Sequence, residues 1–140
     1  MSLQSVLLPV FVQVALTFAL LFWLGFARTA AVRRGEVRVR DIVLGQNAWP
    51  KHETQIGNAY HSQLQLPLLF YLLVVLALIA RKADLVFVLL SWVFVLMRIV
   101  HTAIHVTTNR LPGRFYVFLA GAIVLLIMWI VFAIRLLLGV

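Results

Sequence analysis

Four long apolar runs, separated by short polar stretches, organise the chain. Crossing about 30 Å of hydrocarbon takes roughly 20 apolar residues in a helix, and each run approaches that length. Spanning helices are therefore expected at about 6–27, 55–80, 85–107 and 115–138. The runs are continuous and lack the period-two alternation of a barrel strand, and a helix satisfies its own backbone polar groups where water is absent. The second run differs from the others. Its first third is polar, and Pro67 inside it predicts a kink. Of the connections, 28–54 is long and basic. "RKAD" is a tight turn in which Asp84 is placed to cap the third helix, and "TTNRLPGR" is a short loop with Pro112 and Gly113. The pattern predicts one all-α integral membrane domain over 1–140, a bundle of four transmembrane helices.

Composition strengthens this reading. Of 140 residues, 64% are apolar and 11% charged, where a soluble domain carries about 25% charged residues. The net charge of +8 would suggest nucleic acid in a soluble protein. Here the cations stand between apolar runs, so they report topology and anionic lipid head groups instead, and no nucleic-acid partner is expected. Arg28, Arg33, Arg34, Arg38, Arg40 and Lys51 lie in the long loop, with Arg110 and Arg114 in the third connection. Arg81, Lys82 and Arg135 lie on the other side. This imbalance puts the long loop in the cytoplasm and both termini on the non-cytoplasmic side. "MSLQ" carries no cationic side chain and the run after it is long enough to span, so it reads as a helix and not a cleavable signal. Without cysteine, disulfides, thiolate metal sites and a cysteine nucleophile are excluded. Any thiol chemistry must use a thiol carried by a ligand.

Against the apolar background, two groups of polar residues stand out. Arg98, His101 and His105 in the third helix have offsets 0, 3 and 7, and so do Asn58, His61 and Gln65 in the second. That spacing places each set on one helical stripe. The second helix begins, and the third ends, at the cytoplasmic side, so the two stripes lie at similar depth beside the loop arginines. Ionisable groups inside a membrane face a bundle interior or a wet cavity and mark functional sites. The stripes are therefore expected to gather around one hydrated cleft. Blander roles stand beside this one: Asn58 and Gln65 also suit helix-to-helix hydrogen bonding, and His105 lies near the membrane boundary. His101 and His105 are spaced for a metal, but the Arg98 cation one turn away opposes it, and no metal site is expected. A proton relay would need buried acids, and all four acidic residues lie in or next to loops.

"GNAYHSQLQLP", "RIVHTAIH…NRLPGRF" and "AVRRGEVR", set in this four-helix layout, resemble the MAPEG superfamily, the membrane-associated proteins of eicosanoid and glutathione metabolism. The resemblance spans nearly the whole chain. It implies a homotrimer that binds glutathione as co-substrate between neighbouring subunits near the cytoplasmic face. It further implies a glutathione transferase or peroxidase acting on lipophilic electrophiles that arrive through the membrane lipids. By the same resemblance Arg33 or Arg34, Asn58, Arg98 and His101 hold the tripeptide, while His61, Gln65 and His105 join the binding candidates through their place on the two stripes. Arg110 or Arg114 is the catalytic group beside the thiol. One departure is His61, where the family often carries a glutamate. A non-catalytic lipid-binding or regulatory membrane protein on the same scaffold is the alternative.

Overall fold

The computed structural model describes residues 2–45, 48–108 and 111–139. Five α-helices form four membrane spans: α1 (Leu3–Arg33), α2 (Lys51–Ser62), α3 (Leu66–Ile79), α4 (Leu85–Val106) and α5 (Leu111–Leu138). Because α2 and α3 together make one span, the expected number of crossings holds. Among the described residues there is no strand.

The second span breaks where its sequence demands it. Pro67 has no N–H to offer the Gln63 carbonyl, and its ring crowds that carbonyl, so an unbroken helix cannot pass. The helix stops at Ser62 and restarts at Leu66, with Pro67 in the first turn of α3. Helix ends are closed by short-range bonds. Gly35, at φ +75°, lets the Gly35 and Glu36 amides return to the Val32 and Ala31 carbonyls and close α1. Arg81 takes the same left-handed backbone at φ +56° at the end of α3. Asp84 caps α4 as expected, its carboxylate accepting the Phe87 amide at 3.0 Å. It also accepts from Arg135 Nη1 of α5 at 2.6 Å, which ties the two helices together. Burial alone would raise the Asp84 pKa, but the Phe87 amide and the Arg135 cation outweigh it and hold the carboxyl below its ordinary value.

The bundle is divided along its length. The half remote from the long loop has an apolar core of Val6, Phe70, Leu73, Val74, Phe87, Val88, Phe94, Val95, Leu125, Met128 and Phe132. Phe70 of α3 stacks on Phe94 of α4 with ring centroids 4.8 Å apart. The half towards the long loop, where α2 replaces α3, buries polar groups instead. The outer faces are covered with exposed Leu, Ile, Val and Phe. Lipid tails are as apolar as these side chains, so this surface costs nothing in a bilayer.

Candidate functional site

Two polar centres occupy the half of the bundle towards the long loop. The first is a buried layer built on α4. Arg98 is 1% exposed, and its Nη2 donates to the Ser62 carbonyl at 3.1 Å and to Ser62 Oγ at 2.6 Å. Its Nε and Nη1 are buried with no partner among the described residues. The break in the second span makes this contact possible. A carbonyl in the last turn of a helix lacks its i+4 donor, so the Ser62 carbonyl, which takes the Gln65 amide at 3.3 Å, can also accept from a guanidinium. Gln63, the next residue, ties three helices together. Its Oε1 accepts from Gln13 Nε2 of α1 at 2.8 Å, and its Nε2 donates to the Ala59 carbonyl at 2.9 Å and to Thr102 Oγ1 of α4 at 3.1 Å. On the same face of α4, His101 and His105 are buried, with rings 5.3 Å apart and edge to face, and Phe118 of α5 stands 5.7 Å from His101. Neither histidine Nδ1 has a partner among the described residues.

The second centre is a cavity of about 320 Å³ between the end of α1, the long loop and α2, lined by Arg28, Ile42, Gly45, Trp49, Thr54, Gly57, Asn58 and His61. Arg28 is the first residue past the apolar run of α1, and its guanidinium lies over the Trp49 ring at 4.7 Å from the centroid. Gly57 makes room for it: a Cβ there would stand 3.1 Å from Arg28 Nη2. The Arg28 Nε is buried without a partner among the described residues. A cation, an amide and an imidazole thus meet at the membrane boundary, a donor set suited to an anionic ligand.

Several sequence expectations change here. The cleft that Asn58, His61 and Gln65 were expected to share with Arg98, His101 and His105 is not formed within one copy. Asn58 and His61 line the cavity and are exposed, whereas no α4 residue lines it. Gln65 lies past the helix break, so it leaves the stripe of Asn58 and His61 and is exposed next to α3. What faces Arg98 is Ser62, one residue beyond His61. Arg34 lies outside the cavity lining and is engaged by acids: it bonds Glu36 through Nε at 3.0 Å and lies 3.7 Å from the buried Glu53 carboxylate. The hydrogen-bonded Glu36 carboxylate raises the Arg34 pKa above its ordinary value. Arg33 is exposed and borders a shallow hollow with Arg28, Thr29, Val32 and Trp49. Arg114 is half-buried in the first turn of α5. Arg110 lies outside the described residues. Sequence reasoning did not single out Arg28, Ser62, Gln63, Gln13 or Thr102. Only Gln13, a lone amide in an apolar run, carried a sequence signal of its own.

The fold and these centres define a polytopic four-span membrane bundle with an intramembrane polar layer and an anion-suited cavity at one end. The sequence matches the MAPEG family over residues 6–134, and the chain belongs to that family. It is a membrane protein of the eicosanoid and glutathione metabolism kind. No curated protein and no solved structure shows significant similarity to it.

Proposed function

We propose that the protein is a glutathione-dependent transferase or peroxidase acting on lipophilic electrophiles. The observation that carries this reading is the cavity where the Arg28 guanidinium meets Asn58 and His61 beside the apolar span. Glutathione carries two carboxylates and one ammonium, and guanidinium groups bind carboxylates through paired hydrogen bonds. Arg28, with Nε unpartnered among the described residues, suits a carboxylate, and Asn58 supplies both a donor and an acceptor. Arg110 or Arg114 is the group assigned to the thiol. A cation beside the sulfur favours thiolate over thiol, and the thiolate is the nucleophile. In conjugation its sulfur forms a bond to the electrophilic carbon as the leaving group departs with its electron pair. A homotrimer fits this scheme. The exposed face of α2 that carries Asn58 and His61 would be covered by a neighbour, so that one pocket gathers groups from two copies. The loop charges support a cytoplasmic position for this pocket, with both termini on the opposite side.

A second reading, non-catalytic lipid binding, is favoured by one feature. Among the described residues lining the cavity there is no carboxylate to receive the glutathione ammonium. The test is retention of the detergent-purified protein on immobilised glutathione, together with conjugation of an aromatic chloro-nitro electrophile. The transferase reading expects both, with Arg28→Gln and Asn58→Ala each weakening retention at least about tenfold, the loss of one charge-assisted hydrogen bond. If wild-type protein shows neither retention nor turnover, the second reading replaces the first.

A further inference from the structure

We propose that residues 38–45 of the long loop rest on the membrane surface as a lipid-binding element. Val39, Val43 and Leu44 would enter the head-group region, while Arg38 and Arg40 meet anionic lipid phosphates. The segment is a folded turn. The Asp41 amide donates to the Arg38 carbonyl at 3.0 Å, those of Ile42 and Val43 to the Val39 carbonyl at 3.1 and 3.0 Å, and that of Gly45 to the Ile42 carbonyl at 3.0 Å. The Val43-to-Val39 bond spans four residues, as in one turn of helix, so these two side chains share a face. That face is apolar yet exposed, with Val39 62% and Val43 69% accessible, and the neighbouring Leu44 is 85% accessible.

Its depth is set by the cavity. Ile42 and Gly45 line the same space as Arg28, and Arg28 directly follows the apolar run of α1. The intervening Val43 and Leu44 are therefore held at the level where hydrocarbon gives way to head groups. Trp49 lines that same space and Trp23 lies five residues before Arg28 on α1, and tryptophan favours this boundary. Charge agrees with the assignment. Arg38 and Arg40 flank Val39 and are exposed, and Arg33 and Lys51 are exposed nearby in the chain. Of the nearby acids, Glu36 is engaged by Arg34, leaving Asp41 as the main opposing charge. A stable protein interface draws on roughly 20 residues a side, far more than this short turn offers. A bilayer surface, by contrast, is already present beside any loop that joins two spans. Each arginine near an anionic surface strengthens attraction about fivefold, so the pair contributes roughly 25-fold.

The proposal stands apart from glutathione use and is tested without it. The chain has no cysteine, so Leu44→Cys takes a single environment-sensitive fluorophore on full-length protein. The protein is reconstituted in phosphatidylcholine nanodiscs with or without phosphatidylglycerol. The expected result is blue-shifted emission, quenching by lipids spin-labelled high on the acyl chain and little quenching by acrylamide. Anionic lipid should deepen the quenching, and R38Q/R40Q should abolish that increment. Strong acrylamide quenching in both lipid mixtures overturns the proposal. So does a label hidden from both quenchers whose unlabelled cysteines cross-link between copies, since a second copy would then cover the patch. Lipid quenching that ignores phosphatidylglycerol overturns the assignment of Arg38 and Arg40.

Discussion

Arg98 and Ser62 allow the buried layer to be tested by two substitutions with different consequences. Only Nη2 of the guanidinium is bonded, at 2.6 and 3.1 Å, while Nε and Nη1 have no partner among the described residues. Ser62→Ala deletes the nearer acceptor and keeps the charge. A hydrogen bond to a charged group contributes ~1.5–3 kcal/mol, so a loss of about 2 kcal/mol is expected. Arg98→Met retains most of the side-chain length and removes the charge. It gives up the same bonds but also relieves two buried, unpartnered donors, each costing ~1–3 kcal/mol. Replacing buried charged groups with apolar ones is often neutral or stabilising. The two bonds lost and the two donors relieved nearly cancel, so the net change for Arg98→Met should lie within about 2 kcal/mol of zero. Equilibrium unfolding in mixed detergent micelles, followed by tryptophan fluorescence, measures both variants on one scale. A larger stability loss in Arg98→Met than in Ser62→Ala would contradict this, because the guanidinium would then hold the bundle together. The expected result makes Arg98 a residue that the stability of the bundle does not require.

Three further outcomes follow from the geometry. Gln63→Leu should cost about 3 kcal/mol, since its three bonds contribute about 0.6 kcal/mol each in a membrane and the orphaned Gln13 amide adds at least about 1 kcal/mol. Adding Gln13→Leu should restore part of it in the same unfolding assay, and a purely additive double variant would contradict the network. Gly57→Ala puts a methyl 3.1 Å from Arg28 Nη2, the far end of a flexible side chain. The helix gains about 0.5–1 kcal/mol from losing an interior glycine, against which stands the close Arg28 contact, so stability should change by less than about 1 kcal/mol, while glutathione retention weakens severalfold; unchanged retention would remove Arg28 from the site. Asp84 has a lowered pKa when folded, so its contribution is fully present above its unfolded value of about 3.9 and is lost as pH falls from there through the lower folded value. Its side chain is 43% exposed and that of Arg135 32%, so screening leaves about 0.5 kcal/mol. Asp84→Asn should flatten the acid limb of the stability profile, and an acid limb as steep as wild type would contradict the pairing.

Much of this protein is written in one-dimensional quantities. Bilayer thickness against run length sets the number of spans, and Pro67 without an N–H sets the break in the second one. Asp84 next to a long apolar run announces a helix start, and Arg98 with His101 and His105 at helical spacing announces a buried polar face. What periodicity leaves open is the direction in which such a face turns and what it meets. Asn58, His61 and Gln65 share the offsets of the α4 residues, yet the break takes Gln65 out of register, and packing turns Asn58 and His61 towards Arg28. It is Ser62 that accepts from Arg98, through both its hydroxyl and its carbonyl, and Gln63 that reaches Gln13 50 residues away. Arg28 reads in the sequence as one cation in a basic loop. Its place over Trp49 and against Gly57 exists only once α1, the loop and α2 are packed. Helix content and burial depth follow from local composition, because the membrane rewards them residue by residue. Partners depend on the rotation of whole helices about their axes, which is decided only when all four spans settle against one another.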